Sequence, residues 1–208
     1  MAVIMSKKIV VPRNVPVGAT WLYEYGDDGV FEVPKTGIYS VEIHGGGGGG
    51  AAGSLDYIAS GGGSGELYEV TLTEGDQIDV TVGAGGTAGT TLIRNTSTGN
   101  YYLGGNGGTS TFGDLSCAGG GGGRAGSSGT SQYTYGGSKS GSLASEGSYY
   151  YSAGHSQGDT YSLSGGEGNT NNPSQTYGDG GRAYMNYPNE TPYAGEPGAV
   201  IITFLGVA

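Results

Sequence analysis

Along the first 118 residues, apolar and polar positions alternate in short runs, each cut off by a turn signal; this pattern predicts an all-β domain. TWLYEY (20–25) ends at Gly26-Asp27-Asp28-Gly29, VFEVP (30–34) ends at Lys35-Thr36-Gly37, and IYSVEIH (38–44) runs into six glycines. In IYSVEIH the residues Tyr39, Val41 and Ile43 form the more apolar face, opposed to Ile38, Ser40 and Glu42. ELYEVTLTE (66–74) sets Tyr68, Val70 and Leu72 against Leu67, Glu69 and Thr71. After the Glu74-Gly75-Asp76 turn, QIDVTVG (77–83) puts Ile78, Val80 and Val82 on one face. TTLIRN, YYLGG, TSTFG and LSCAG predict weaker strands, and GAVIITFL (198–205) closes the pattern.

No segment carries an apolar stripe at helical spacing over three turns, and glycine recurs too often for helix interiors. Little or no α-helix is expected. Of the 35 Leu, Ile, Val and Phe residues, 33 lie in 1–118 or 198–208, so only Leu143 and Leu163 fall within 119–197. A closing strand as apolar as AVIITF is expected to return to the sheets built by 20–118. The fold expected is an antiparallel β-sandwich framework, 20–118 plus 198–205, with 119–197 as a Gly/Ser/Tyr-rich insertion. Residues 1–18, with a β-branched run followed by Pro12 and Pro16, read as an attachment or lead-in segment. Residues 19–208 read as one domain.

The chain has 48 glycines in 208 residues. Each costs about 0.5–1 kcal/mol more than alanine to order, so a folded chain carries them only if they supply what no side chain could. One reading makes 119–197 a flexible tract. The other makes Gly45–Gly50, Gly61–Gly63, Gly83–Gly86 and Gly119–Gly123 extended rods of polyproline-II type, packed backbone against backbone. Three features favour the rods. The long runs start directly at strand ends, after His44 and Ala118; small residues (Ala51, Ala52, Ala84, Ala118) flank them; and 119–197 holds ten tyrosines, where disordered spacers are poor in aromatics.

Eight Lys/Arg against eighteen Asp/Glu give a net charge of −10, the wrong sign for gripping nucleic acid or anionic lipid. The one cysteine, Cys117, excludes an internal disulfide and any cysteine-based metal cluster. MAVIMSKKIVV places its lysines after the apolar run, the reverse of a secretory leader, and no apolar run is long enough to cross a bilayer. Glycine-loop matches lie on no strand–loop–helix unit, and no Gly-Lys-Ser/Thr occurs, so no phosphate cradle is expected. His44 and His155 are the only imidazoles, and His44, at a strand end, reads as structural. Asp27-Asp28 and Glu74/Asp76/Asp79 miss the calcium-loop spacing and read as turns. The acids of 119–197 stand singly, without the paired carboxylates of a glycosidase. No catalytic residue, metal or cofactor is expected.

The order of elements resembles the glycine-rich domain of bacteriophage tail-fibre and tail-tip proteins. The resemblance rests on GIYSVEIHGGGGGGAAG (37–53), GGGSGELYEVTLTEGDQIDVTVGAGG (61–86), GGNGGTSTFGDLSCAGGGGG (104–123) and GEPGAVIITF (195–204), and covers roughly 20–204. More distantly, the chain resembles the extracellular glycine-rich region of anaplastic lymphoma kinase receptors. The resemblance implies a β framework enclosing a bundle of polyglycine-II helices, with variable distal loops that contact a receptor. In 124–197 glycine is sparser than in the family pattern, which leaves the number of rods open and enlarges the loop surface.

Tyrosine offers a flat apolar face, a hydroxyl edge and two torsions to freeze, which is why Tyr/Ser/Gly mixtures dominate binding loops. Tyr133, Tyr135, Tyr149, Tyr150, Tyr151, Tyr161, Tyr177, Tyr184 and Tyr187, with Asn171 and Asn172, are therefore the candidate receptor-binding residues, and 149–151 the candidate loop tip. The expected function is that of a tail-fibre tip, an adhesin without enzymatic activity that binds a bacterial surface glycan or outer-surface protein. The expected location is the virion, extracellular after release, with other tail-fibre proteins as further partners and a homotrimer left open. The alternative is a structural glycine-rich surface or matrix protein with no specific receptor.

Overall fold

The structure is a computed structural model; it describes residues 15–53, 57–89, 92–95, 99–126, 137–151, 162–163, 165–172, 174–185 and 191–207. Among these residues there is no helix. The strands are β1 (Thr20–Glu24), β2 (Gly29–Glu32), β3 (Gly37–His44), β4 (Ala52–Gly53), β5 (Tyr57–Ala59), β6 (Glu66–Leu72), β7 (Gln77–Thr81) and β8 (Leu92–Asn95). They continue as β9 (Gly99–Tyr102), β10 (Ser110–Phe112), β11 (Leu115–Cys117), β12 (Ala125–Gly126), β13 (Tyr149–Tyr151), β14 (Ser162–Leu163), β15 (Ala183–Met185) and β16 (Ala199–Gly206).

Two four-stranded antiparallel sheets make the sandwich, in the orders β1-β16-β3-β6 and β11-β10-β7-β2. The period-2 pattern decides which faces meet. Tyr39, Val41 and Ile43 of β3 are buried with Val200, Ile202 and Phe204 of β16 and Tyr23 of β1, opposite Phe31, Val80 and Phe112 of the second sheet. Trp21, Phe31, Tyr39, Phe112 and Phe204 form a chain of ring contacts with centroids 5.1–6.3 Å apart, two of them edge-on as the ring quadrupoles favour and three tilted. Strand β16 lies between β1 and β3.

The glycine runs form a lattice. Around 45–50 the donors Gly46 and Gly49 both bond segment 104–108, Gly47 and Gly50 bond 193–196, and Gly48 bonds Gly62. The carbonyls repeat the pattern: Gly46 and Gly49 accept from 119–123, Gly47 and Gly50 from 83–89, and Gly48 from Gly181. A partner that recurs every third residue is the signature of a threefold extended helix with lateral hydrogen bonds. Segment 60–65 is surrounded in the same way by 45–50, 119–123, 137–140, 145–148, 165–168 and 178–182. Among the described residues ten rods are thus present: two central ones sharing an edge, and eight that close a ring around them, each bonded to the next.

This packing explains the uneven glycine content. The two central rods are glycine except for Ser60 and Ser64, whose hydroxyls bond the Ser148 and Ala118 carbonyls. A Cβ placed on Gly48 would sit on the carbonyl oxygen of Gly121, and one on Gly61 would sit on that of Gly48. Rim rods turn part of each helical turn to water. Ala84, Thr87, Asn106, Lys139, Glu146, Glu167, Arg182 and Glu196 are exposed there. The rods at 137–140, 145–148, 165–168 and 193–196 all lie on the rim, so 124–197 needs fewer glycines.

Segment 119–197 is therefore no separate block. Four of the ten rods come from 45–108, and the two ends of 119–197 stand on opposite sides of the central rod 45–50. Strands β8 and β9, expected in the framework, lie in a different sheet because rods 83–89 and 104–108 carry the chain away from the sandwich and back.

Every amide from Gly46 to Gly50 donates to another rod at 2.8–2.9 Å. In hydrogen–deuterium exchange read by NMR, the amides of 46–50 and 61–64 are expected to exchange only as slowly as the sandwich core, through global opening. Exchange within the dead time would show the rods to be loose in water.

Candidate functional site

Successive rods run in opposite directions. Gly46 and Gly49 bond Gly108 and Gly105 in descending order, while Gly86 and Gly89 bond Gly47 and Gly50 in ascending order. The chain therefore reverses after each rod, alternately at the sandwich end and at the far end. Five times, between rods 45–50 and 60–65, 83–89 and 104–108, 119–123 and 137–140, 145–148 and 165–168, and 178–182 and 193–196, the chain leaves and re-enters the lattice at the far end. The strands of these connections pair into two small sheets, β12-β5-β13 and β14-β15-β4-β9-β8.

This distal face gathers four of the candidate residues. Tyr149, Tyr150 and Tyr151 make up β13 and pair with Ala59, Ile58 and Tyr57 of β5. Tyr184 of β15 stands at Ala52 of β4, and Ala52 stands at Tyr102 of β9, so one register row carries Tyr184, Ala52 and Tyr102. Tyr57, Tyr101 and Tyr102 thus join the distal face although they precede the segment singled out in the sequence. Counting chain reversals from Gly45 would have placed them there. Tyr133, Tyr135, Tyr161 and Tyr187 lie outside the described residues.

Tyr177, Asn171 and Asn172 lie at the other end. They belong to the connection 169–177 between rods 165–168 and 178–182, which reverses against the sandwich. Asn171 and Asn172 are exposed, and both backbone amides donate to the Asn169 side-chain oxygen, at 3.0 and 3.2 Å. The Tyr177 hydroxyl donates to Glu24 Oε1 at 2.8 Å. That bond, with partial burial and the Glu24 charge, holds its phenol above the ordinary tyrosine range. These three residues tie the 169–177 connection down, in one case to itself and in the other to β1.

The same connection covers a buried polar cluster. His44, at the end of β3, is fully buried. Its Nδ1 lies 3.0 Å from the Ser64 carbonyl and its Nε2 lies 2.6 Å from Glu42 Oε1. A carbonyl can only accept, so Nδ1 carries a proton; an ionised Glu42 then requires Nε2 to carry one too. Asn169 Nδ2 and Gln175 Nε2 donate to the same Glu42 oxygen at 2.7 and 3.1 Å. The His44 bond first, with its positive charge and the two amides, outweighs desolvation and holds the Glu42 carboxyl below its ordinary range. Nearby, burial pushes the Asp179 carboxyl up, although the Gly168 N–H donates to it at 2.6 Å. The Ser110 hydroxyl donates to the His44 carbonyl at 2.6 Å and accepts from the Gly83 N–H at 2.9 Å. His44 is thus a junction residue where β3, two rods and the 169–177 connection meet.

Cys117 is buried, with its Sγ 3.3 Å from Ser64 Oγ. Among the described residues no group of three or more His, Cys, Asp or Glu is placed to hold a metal, and no helix is long and apolar enough to cross a membrane. The arrangement places tyrosine-bearing strands at the far end of the rod lattice. Residues 27–204 match the family of the glycine-rich domain. The chain belongs to that family. The match runs from just before β2 to Phe204 in β16, so it takes in every strand of the sandwich except β1, together with all ten rods. No curated protein matches the chain.

Proposed function

We propose that this glycine-rich domain is the receptor-binding tip of a bacteriophage tail fibre, and that its distal face attaches to a bacterial surface glycan or outer-surface protein. The observation that carries this reading is the gathering of five connections, with Tyr57, Tyr101, Tyr102, Tyr149, Tyr150, Tyr151 and Tyr184 in their strands, at one end of a hydrogen-bonded lattice. The sandwich closes the other end, where the lead-in segment would join the fibre and other tail-fibre proteins. Recognition proceeds without chemistry. A lattice fixed by backbone bonds spares the ordering cost that a mobile loop meets on binding, and several fibres on one virion turn weak single contacts into firm attachment.

The test replaces Tyr149, Tyr150 and Tyr151 by Ala together and measures adsorption to host cells, with Tyr177→Phe as the comparison. Tyrosine hot spots are worth about 2 kcal/mol or more each, so the triple variant is expected to lose at least about tenfold in cell binding while keeping its melting temperature. Tyr177→Phe is expected to adsorb normally. Unchanged adsorption by the triple variant would remove β13 from the receptor face.

A further inference from the structure

A cleft of about 260 Å³ opens at the waist of the molecule, where β1 leaves the sandwich, the 169–177 connection ends, and the last rod passes into β16. Glu24, Tyr25, Thr176, Tyr177, Glu196 and Pro197 line it. Its volume falls just under the ~300–1,000 Å³ of most ligand sites, which suits a single ring. Two glutamates, Glu24 and Glu196, are among the lining residues, and neither is paired with a cation among the described residues. The Tyr177 hydroxyl donates to one oxygen of Glu24, Oε1, at 2.8 Å. Tyr25 is 59% exposed, a large ring standing beside two anions.

These groups select a class of ligand. Calcium takes six to eight oxygens, so with two carboxylates in the lining much of its shell would have to be water and backbone carbonyls. A neutral sugar would desolvate two carboxylates without answering their charge. An organic ammonium answers both features, since carboxylates pair with it and aromatic faces attract it. Thr176 and the Tyr177 oxygen add polar partners for ring hydroxyls, and Tyr25 offers a flat surface for ring C–H groups. We infer that the waist cleft is a second binding site, distinct from the distal face, that takes an amino sugar through its protonated amine.

The experiment titrates the isotopically labelled full chain with D-glucosamine at mildly acidic pH and follows amide resonances by NMR. N-acetylglucosamine supplies the same ring without the charge, and n-butylamine the charge without the ring. Saturable shifts centred on Tyr25, Thr176, Tyr177 and Glu196, with a millimolar dissociation constant, are expected for glucosamine. Loss of the charge-assisted bonds is expected to weaken N-acetylglucosamine about tenfold. Tyr25→Ala, a change at an exposed residue, is expected to weaken glucosamine about two- to fivefold, and Glu196→Gln by a similar factor. The triple substitution at Tyr149–Tyr151 is expected to leave glucosamine binding intact, so this site and the distal reading fail independently. Absence of saturable shifts, or equal binding by N-acetylglucosamine, would overturn the proposal. Equal binding by butylamine would overturn the sugar assignment and make the cleft a lysine site.

Discussion

Gly48→Ala is expected to leave the chain without its cooperative fold, because the Gly48 rod has no free side and the added methyl lands on the carbonyl oxygen of Gly121 in the next rod. Gly48 donates to Gly62 and accepts from Gly181, so moving it breaks bonds to two neighbours at once. Nor can the neighbours yield, since 119–123 and 178–182 are each bonded to the second central rod as well. Overpacking a core side chain costs about 1–3 kcal/mol because that side chain can turn aside; a backbone carbonyl cannot. The expected loss is about 5 kcal/mol or more, comparable with the whole stability of many domains. Thermal unfolding followed by circular dichroism measures it. Gly26→Ala is the comparison: nothing lies within 4 Å of its Cβ, although its φ of 95° disfavours a side chain. It should cost only about 1 kcal/mol. Equal effects at the two positions would mean that the rods do not pack as described.

The contrast between centre and rim also shows what the sequence could disclose. The sandwich was legible because its strands alternate against a real core: Tyr39, Val41 and Ile43 inward, Ile38, Ser40 and Glu42 outward. The central rods were legible because six neighbours permit almost no side chain, which writes long glycine runs. A rim rod needs an open position only where it faces inward. Gly137-Ser138-Lys139-Ser140 and Gly165-Gly166-Glu167-Gly168 therefore look like polar linker, yet both are bonded into the lattice. Composition could not separate Tyr177, Asn171 and Asn172 from Tyr149–Tyr151, since both groups lie among Ser, Asn and Gly. What separates them is the parity of chain reversals, which becomes countable only once every rod has been recognised.

Acid is expected to weaken the joint between sandwich and lattice before it touches either part. Glu42 has a carboxyl lowered by His44, so the folded chain binds its proton less readily than the unfolded chain does. Its stabilising contribution is complete above the ordinary carboxylate range and is lost as the pH falls through the lowered value. Asp179 has the opposite sign: burial raises it, so protonation there favours the folded chain and offsets part of the loss. Glu167 and Glu196 face Asp179 and push the same way. Glu42→Gln separates the contributions. It keeps an oxygen for Asn169 and Gln175 but leaves a buried imidazolium with no counter-charge, or else a neutral ring whose unprotonated Nε2 meets that oxygen. Removing one partner of a buried pair costs about 3–5 kcal/mol, and partial exposure of Glu42 puts the expected loss near the lower figure. Urea unfolding at a series of pH values should show the wild-type midpoint falling through the acid range. The Glu42→Gln midpoint should start lower and stay flat or rise as Asp179 takes up its proton. A parallel fall in both proteins would place the acid sensitivity elsewhere, and His44 would then be a packed ring rather than the charged pin that holds the 169–177 connection to β3.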